Sequence, residues 1–158
     1  MLRSLPLVLV TLCSTAAIGQ EAEVSPDRGA DVAIIGGCHD CHTAGYAASN
    51  GQVDPEVALK GDIVGFQGPW GTTYPSNLRI TAGAKSEDEW VDFLKTFEAR
   101  PPMPWFNVHH FAEADMRSLY QYIKSLGEPG DPAPDFVEPG GKPTNPFIIF
   151  APPTMPAQ

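Results

Sequence analysis

The chain has 158 residues, of which 19 are acidic and 10 are Lys or Arg, and its formal net charge is −9 at pH 7. This length is typical of one domain. The acidity argues against nucleic acid as a partner and favours a protein partner with a basic docking surface.

The first residues have the three parts of a secretory signal. Arg3 supplies the positive start, residues 5–13 form an apolar run, and Ala17-Ile18-Gly19 places small residues at the cleavage positions. The run is shorter than the roughly 20 residues that a membrane-spanning helix needs. We therefore expect a signal peptide over residues 1–19, cleavage near Gly19, and a periplasmic protein without a membrane span. Loss of Arg3 would leave a net charge near −10.

A first helix is predicted after a disordered lead that ends at Val24. Ser25-Pro26-Asp27 combines a capping hydroxyl, a proline at the first helical position and an acid near the positive helix end. The helix is expected to end at Gly36-Gly37. Gly29 inside it is consistent with a close helix–helix contact, although it could also be merely tolerated.

The stretch Cys38-His39-Asp40-Cys41-His42 is the most informative one. Cys-x-x-Cys-His is the pattern of covalent haem attachment. Residues three apart lie on the same side of a helix, so both thiols can form thioethers to one porphyrin. His42 can then present its imidazole to the iron as the proximal ligand. The motif predicts one covalent haem c.

Two other interpretations of the motif are weaker. A zinc site needs four ligands, and adjacent Cys41 and His42 are badly placed to bind one tetrahedral ion. A thioredoxin-type dithiol needs a strand leading into the motif, and residues 31–37 are too short and end in glycine. Cys13, the third cysteine of the chain, lies in the predicted signal. The mature chain would then have no structural disulfide.

The next stretches predict loops beside the haem. Residues 43–68 are expected to form a long surface loop, with one short helical piece near residues 55–60, that covers one haem face. Residues 68–79 are dense in turn formers and cannot be a regular helix or a central strand. Four side chains of this stretch could line a haem pocket: Trp70, Tyr74, Asn77 and Arg79. Arg79 would either pair with a propionate or be an ordinary surface cation.

Two further helices are predicted. Ser86-Glu-Asp-Glu89 is a capping box, and the apolar stripe of Trp90, Phe93, Leu94 and Phe97 that follows is expected to be core. The last helix runs from about Glu113 to Leu126, starts poorly at Ala112 and ends at Gly127.

The sixth iron ligand is predicted in Arg100-Pro-Pro-Met-Pro-Trp105. Three prolines around Met103 stiffen the backbone, and a stiff loop suits a weak thioether ligand; the bland alternative is a gap-filling methionine. Met116 falls on the apolar face of the last helix and is expected in the core. His109 and His110 remain rival ligands.

Residues 128–158 are rich in proline and predict an extended tail without a regular element. The apolar run Phe147-Ile-Ile-Phe150 interrupts this tail. We expect it to lie back on the body of the protein; on a free tail it would be an exposed docking patch.

Together these pieces resemble a class I c-type cytochrome over about Ser25 to Gly127, within a predicted cytochrome c domain of residues 20–127. More narrowly they are similar to the haem domains of periplasmic dehydrogenase cytochrome subunits. The resemblance rests on short matching stretches in the expected order: Arg28-Gly29, Gly36-Gly37-Cys38, Gly68-Pro-Trp-Gly-Thr-Thr-Tyr74, Asn77-Leu78, Met103-Pro104, Asp115-Met116 and Tyr122-Ile123. It implies an all-α fold of three to five helices around one covalent haem, with long loops, and a crossing of the first and last helices near Gly29 and Tyr120.

The resemblance also implies thioethers at Cys38 and Cys41, His42 as proximal ligand and Met103 as distal ligand. The function expected is one-electron transfer between redox partners, without enzymatic turnover. Two alternatives remain open. One is a five-coordinate haem that binds a gas or peroxide, and the other is a fixed electron relay within a dehydrogenase or oxidase complex. No proline closely follows His42, so the sequence does not identify the carbonyl that orients its second ring nitrogen.

Overall fold

The computed structural model describes residues 23–156, and helices predominate in that part of the chain. The predicted signal peptide and most of the lead before Val24 lie outside the described residues. Residues 23–156 form six helices and three strands: α1 (Pro26–Ile35), α2 (Cys38–His42), β1 (Gly65–Gly68), β2 (Gly71–Thr73), α3 (Leu78–Gly83), α4 (Glu87–Thr96), α5 (Trp105–Val108), α6 (Glu113–Ser125) and β3 (Phe147–Ile149).

Helix α1 has the predicted bounds, and its start follows from local hydrogen bonding. The Ser25 hydroxyl accepts from the Arg28 amide, and Pro26 occupies the first helical position. At the other end, the Gly36 amide donates to the Val32 carbonyl. Gly37 then takes a left-handed conformation, with φ of 69°, and redirects the chain into α2.

Helices α1 and α6 cross at Gly29, as predicted. A Cβ at Gly29 would collide with the Ser118 carbonyl and would lie 2.6 Å from the Cβ of Tyr122. The Ser25 amide donates to the Ser118 hydroxyl, and Arg28 forms a 2.7 Å ion pair with Asp115. Glycine is therefore required here by the close approach of the two backbones.

Helix α4 begins with the predicted capping box between Ser86 and Glu89. It packs against α6, and the Trp90 indole N–H donates to the Met116 carbonyl over 3.1 Å. The core contains Met116, which is fully buried as expected, together with Val32, Trp90, Leu94 and Ile123. α6 ends as predicted, with Gly127 at φ of 82°.

The loop predicted over residues 43–68 folds into turns up to residue 64, whereas residues 65–68 form β1, so the prediction is wrong at its end. The short helical piece predicted near residues 55–60 does not form. The Val57 and Ala58 amides both donate to the Asp54 carbonyl, which makes a single turn. Leu59 then takes a positive φ of 57°, which a continuing helix cannot accommodate. Its amide donates to the Thr43 hydroxyl, so the loop is tied back to the end of α2.

A small sheet supplements the predicted all-α fold. Strands β1 and β2 form an antiparallel hairpin, and β3 pairs in parallel with the outer side of β1. Residues 68–79 were predicted to hold no central strand and no regular helix. That prediction is wrong at both ends, because Gly68 closes the central strand β1 and Leu78 begins α3. The Asn77 side chain explains the helix start, since it caps the Arg79 and Ile80 amides.

The proline-rich segment after residue 127 is extended but lies on the body. The run Phe147-Ile-Ile-Phe150 was expected to fold back, and β3 confirms this through its pairing with β1. Its side chains stay largely exposed, and Phe150 contacts Phe66 and Trp70 edge to face. The segment therefore does contain a regular element, contrary to the prediction. No helix within residues 23–156 is long and apolar enough to cross a membrane.

Candidate functional site

A cavity of about 430 Å³ lies between α2, the β1–β2 hairpin, α4 and the loop before α5. Its volume falls in the usual range of ligand sites in proteins. All four residues predicted to hold the haem and its iron line it together: Cys38, Cys41, His42 and Met103. They come from segments some 60 residues apart in the chain, so the tertiary fold brings them together.

Cys38 and Cys41 carry free thiols and line the cavity. They lie three residues apart on α2. Burial raises the pKa of the Cys38 thiol to about 11, and burial also raises the pKa of Cys41. Both thiols are therefore protonated at neutral pH. Their position on one helical turn allows both to reach a single ligand.

The orientation of His42 is set by a backbone carbonyl. Its Nδ1 lies 2.7 Å from the carbonyl oxygen of Ser76. A carbonyl can only accept, so Nδ1 carries the proton and Nε2 is left as the electron-pair donor. Burial lowers the pKa of His42, which favours this neutral form. The sequence did not reveal this partner, because Ser76 lies 34 positions away.

His39, the other histidine of the motif, is not placed to bind a ligand in the cavity. It is fully buried, and its Nδ1 lies 2.7 Å from the Thr43 hydroxyl. Because that hydroxyl already accepts from the Leu59 amide, its own proton can go to His39 Nδ1. His39 therefore helps to fix the end of α2 and does not line the cavity.

Met103 lines the cavity together with its loop neighbours Arg100, Pro102 and Pro104. The rival ligands lie elsewhere. His109 Nε2 is 2.9 Å from the Phe97 carbonyl, His110 is exposed, and neither lines the cavity. Met103 is thus the sixth-ligand candidate that the fold brings to the cavity.

Of the four side chains predicted to form a haem pocket, only Tyr74 lines the cavity. Its hydroxyl is buried and has no hydrogen-bond partner among the described residues, and the same holds for the Thr73 hydroxyl beside it. Trp70 instead donates to the Phe66 carbonyl within the hairpin. Asn77 is occupied with capping α3 and with the carbonyls of Pro129 and Asp131.

Arg79 is neither a propionate partner nor a surface cation. It is 5% exposed, and its guanidinium donates to four backbone carbonyls, those of Pro55, Ala58, Leu126 and Glu128. Burial lowers its pKa. Arg79 acts as a structural tie between the loop after α2 and the end of α6, because four of its five N–H donors bond to carbonyls there.

Two groups line the cavity that the sequence did not indicate. Arg100 places at the cavity the positive charge that was predicted at Arg79. The stripe of α4 was expected to be core, yet all four of its members also face the cavity: Trp90, Phe93, Leu94 and Phe97. A helix stripe is apolar in either case, so composition could not distinguish a core face from a cavity wall.

The residues present fit a haem. The wall is mostly apolar, as a porphyrin ring requires, and it offers two thiols, an oriented imidazole and a thioether. Two orphaned hydroxyls, of Thr73 and Tyr74, and the cation of Arg100 suit the two carboxylates of the same group. Within residues 23–156, no cluster of three or more His, Cys, Asp or Glu side chains could hold a metal ion without the porphyrin.

Comparison with known proteins gives one match. The family model described as Cytochrome c matches residues 26–127, which is more than half of the chain. The match begins at the first residue of α1 and ends just after α6. No curated protein and no solved structure gives a significant match.

Proposed function

Because the chain belongs to the cytochrome c family, we propose that it is a periplasmic monohaem electron carrier. In this proposal Cys38 and Cys41 hold one haem c through thioethers, His42 is the proximal ligand and Met103 the distal ligand. The observation that carries it is the convergence of these four side chains on one apolar cavity. The chain itself catalyses no turnover.

Each of the four side chains has a defined task. A bound haem supplies an iron that gains and loses one electron. Cys38 and Cys41 would hold the haem by adding S–H across its vinyl groups, with sulfur on one carbon and hydrogen on the other, which needs no oxidant. His42 presents Nε2 because Nδ1 donates to Ser76. Met103, on a proline-stiffened loop, would complete the ligand set, so that no position would remain open for a substrate.

The cavity wall supports electron transfer rather than chemistry at the iron. Apolar side chains such as Phe93, Leu94 and Phe97 exclude water from the ring, and Met103 stands among them. His/Met ligation raises the reduction potential. A five-coordinate haem that binds a gas or peroxide would instead need Met103 to be remote from the iron.

Covalent attachment is the first test. Acid–acetone treatment of the holoprotein should leave the haem on the polypeptide, and extraction of free haem would refute the proposal. Cys38→Ser and Cys41→Ser should each yield mostly apo, poorly folded protein, since the haem would fill the cavity. The spectra of the oxidised and reduced protein then report the haem type and the sixth ligand together.

The partners and the location are proposals that follow from charge and from the N-terminal residues. The acidic chain would meet a basic docking surface of a redox partner in the periplasm. A fixed relay in a dehydrogenase or oxidase complex is the remaining alternative, and the narrower resemblance to dehydrogenase subunits stays a prediction. Stable co-purification with such an enzyme would favour the relay over the free shuttle.

A further inference from the structure

Residues 128–150 lie outside the part of the chain that matches the family, yet they are attached to the body at several points. We call them the C-terminal strap. One end is held by Asn77, whose amide donates to the carbonyls of Pro129 and Asp131 over 2.7 and 3.0 Å. The other end is held by the pairing of β3 with β1. The strap is therefore anchored on both sides of its middle.

The middle of the strap is joined to β2. The Thr72 amide donates to the Val137 carbonyl over 2.8 Å, and the Val137 amide donates back to the Thr72 carbonyl over 3.0 Å. Gly71 permits this approach, since a Cβ there would collide with the Val137 carbonyl and lie 2.9 Å from the Phe136 ring. The position of Phe136 is thus fixed by the hairpin that forms part of the cavity wall.

Phe136 in turn contacts the methionine loop. The guanidinium carbon of Arg100 lies 3.9 Å from the centroid of the Phe136 ring, in cation–π geometry. Among the described residues, Arg100 forms no ion pair with a carboxylate. Its carbonyl accepts from the Met103 amide over 3.3 Å, and both residues line the cavity.

We propose that the C-terminal strap positions Met103, through the contact of Phe136 with Arg100. The proposal rests on the proposed function, in which Met103 is the sixth ligand. A thioether is a weak ligand, so any motion of its loop increases the fraction of time that the iron is open. Phe136 is a positioning residue in this arrangement, since it contacts the loop and not the ligand itself.

The test uses holoprotein with substitutions at Phe136. Phe136→Leu keeps an apolar side chain but removes the aromatic face, whereas Phe136→Trp retains that face. Cyanide binding to the oxidised protein reports how often the iron is open. Phe136→Leu should accelerate it by roughly two- to fivefold, as expected for one exposed cation–π contact, and lower the reduction potential. Phe136→Trp should stay near the parent.

A double-mutant cycle with Arg100→Gln separates this contact from a general loosening of the strap. If the two side chains act together, Phe136→Leu should accelerate cyanide binding much less in the Arg100→Gln background than in the parent. The acceleration in the double variant should then be well below the product of the two single accelerations. Phe147→Leu is the matched control. It truncates an aromatic ring of the same strap, in β3, and should leave cyanide binding unchanged.

The outcomes distinguish the two proposals. Unchanged cyanide binding in Phe136→Leu, or fully multiplicative effects in the cycle, would overturn the positioning role while leaving the haem and its ligands intact. An equal acceleration by Phe147→Leu would also overturn it. If the parent protein already binds cyanide as fast as Met103→Ala, then Met103 is not a ligand and both proposals fail. Loss of haem on acid–acetone treatment would refute the proposed function itself.

Discussion

At the scale of single residues, the site depends on groups that hold the predicted ligands in place. The Ser76 carbonyl fixes the tautomer of His42, and the His42 carbonyl accepts from the Gly61 amide over 2.9 Å. The His39–Thr43–Leu59 hydrogen bonds secure the turn that follows. His42, the predicted proximal ligand, is thus held by neighbours that a ligand motif alone does not specify.

Replacing the predicted distal ligand should open the iron and leave the haem attached. Met103→Ala removes the thioether that lines the cavity but leaves both cysteines and His42. The reduction potential should therefore fall, and carbon monoxide or cyanide should bind more readily. Optical titration and potentiometry on the holoprotein measure both effects.

The controls for this prediction are a core methionine and a rival histidine. Met116→Leu conserves core volume at a fully buried position and should cost less than about 1.5 kcal/mol of stability without changing the spectrum. His109→Ala should likewise leave the iron closed. If Met103→Ala kept its spectrum and a histidine variant opened the iron, the ligand assignment would be wrong.

Gly61 allows a second prediction at this scale. It has φ of 84°, and a Cβ there would lie 2.5 Å from the Pro75 carbonyl and 3.0 Å from the Ser76 carbonyl carbon. Gly61→Ala should therefore displace the segment that orients His42. We expect a loss of more than about 1 kcal/mol from the positive φ, plus a shifted reduction potential.

Gly45→Ala is the matched variant for Gly61→Ala. Gly45 also has a positive φ, of 77°, but nothing lies within 4 Å of its Cβ position. It should show the backbone cost in thermal unfolding and no change in potential. Equal potentials in the two variants would mean that the Ser76 segment tolerates displacement without disturbing His42.

At the scale of elements, the crossing of α1 and α6 is what places α2, the helix of the Cys-x-x-Cys-His motif. Two polar contacts support the crossing, from Ser25 to Ser118 and from Arg28 to Asp115. Next to them the backbones approach so closely that Gly29 has no room for a methyl group. The crossing therefore depends on one missing side chain.

Gly29→Ala should destabilise the fold by forcing α1 and α6 apart. Overpacking of this kind usually costs about 1–3 kcal/mol, which outweighs the gain in helix propensity. Denaturant unfolding of the holoprotein measures the loss. Gly83→Ala is the counterpart, since the Cβ position of Gly83 has nothing within 4 Å. It should be neutral or slightly stabilising, and a Gly29→Ala variant that behaved the same way would contradict the close crossing.

At the scale of the whole molecule, acidity governs encounters. The formal net charge is −9 for the full chain, and a haem with two carboxylates makes it more negative. An excess of one sign steers an oppositely charged partner from a distance, and this steering weakens as salt screens it. The charge therefore bears on association rates and says little about the fold.

The rate of electron exchange with a basic redox partner should fall as ionic strength rises. The screening length is already about 10 Å at 0.1 M salt, so most of the decrease should occur below and around this concentration. Stopped-flow kinetics over a salt series measures it. A small neutral reductant serves as control and should show little salt dependence. If the rate of electron exchange with the protein partner does not change with salt, docking is apolar or the assembly is permanent.

Features that depend on neighbours a few positions away can be predicted from the sequence. The Cys-x-x-Cys-His motif is set by the order of five residues. The Ser25 cap, the capping box at Ser86 and the ends of α1 and α6 arise from hydrogen bonds within one helical turn. The assignment to c-type cytochromes, which the family match confirms, followed from the spacing of the motif and the order of these elements. The spacing of the motif residues and the helix caps can be predicted from the sequence because the interacting groups are close neighbours along the chain.

Which distant groups meet depends on the tertiary fold. Arg79 and Arg100 are both arginines, and their type alone does not show which of them meets the cavity. In the structure Arg79 bonds to backbone carbonyls, whereas Arg100 lines the cavity. The Ser76 carbonyl reaches His42, and Phe136 reaches Arg100 from a segment predicted to be a plain tail. These contacts depend on long-range packing, because a buried donor bonds to an acceptor that the fold places near it.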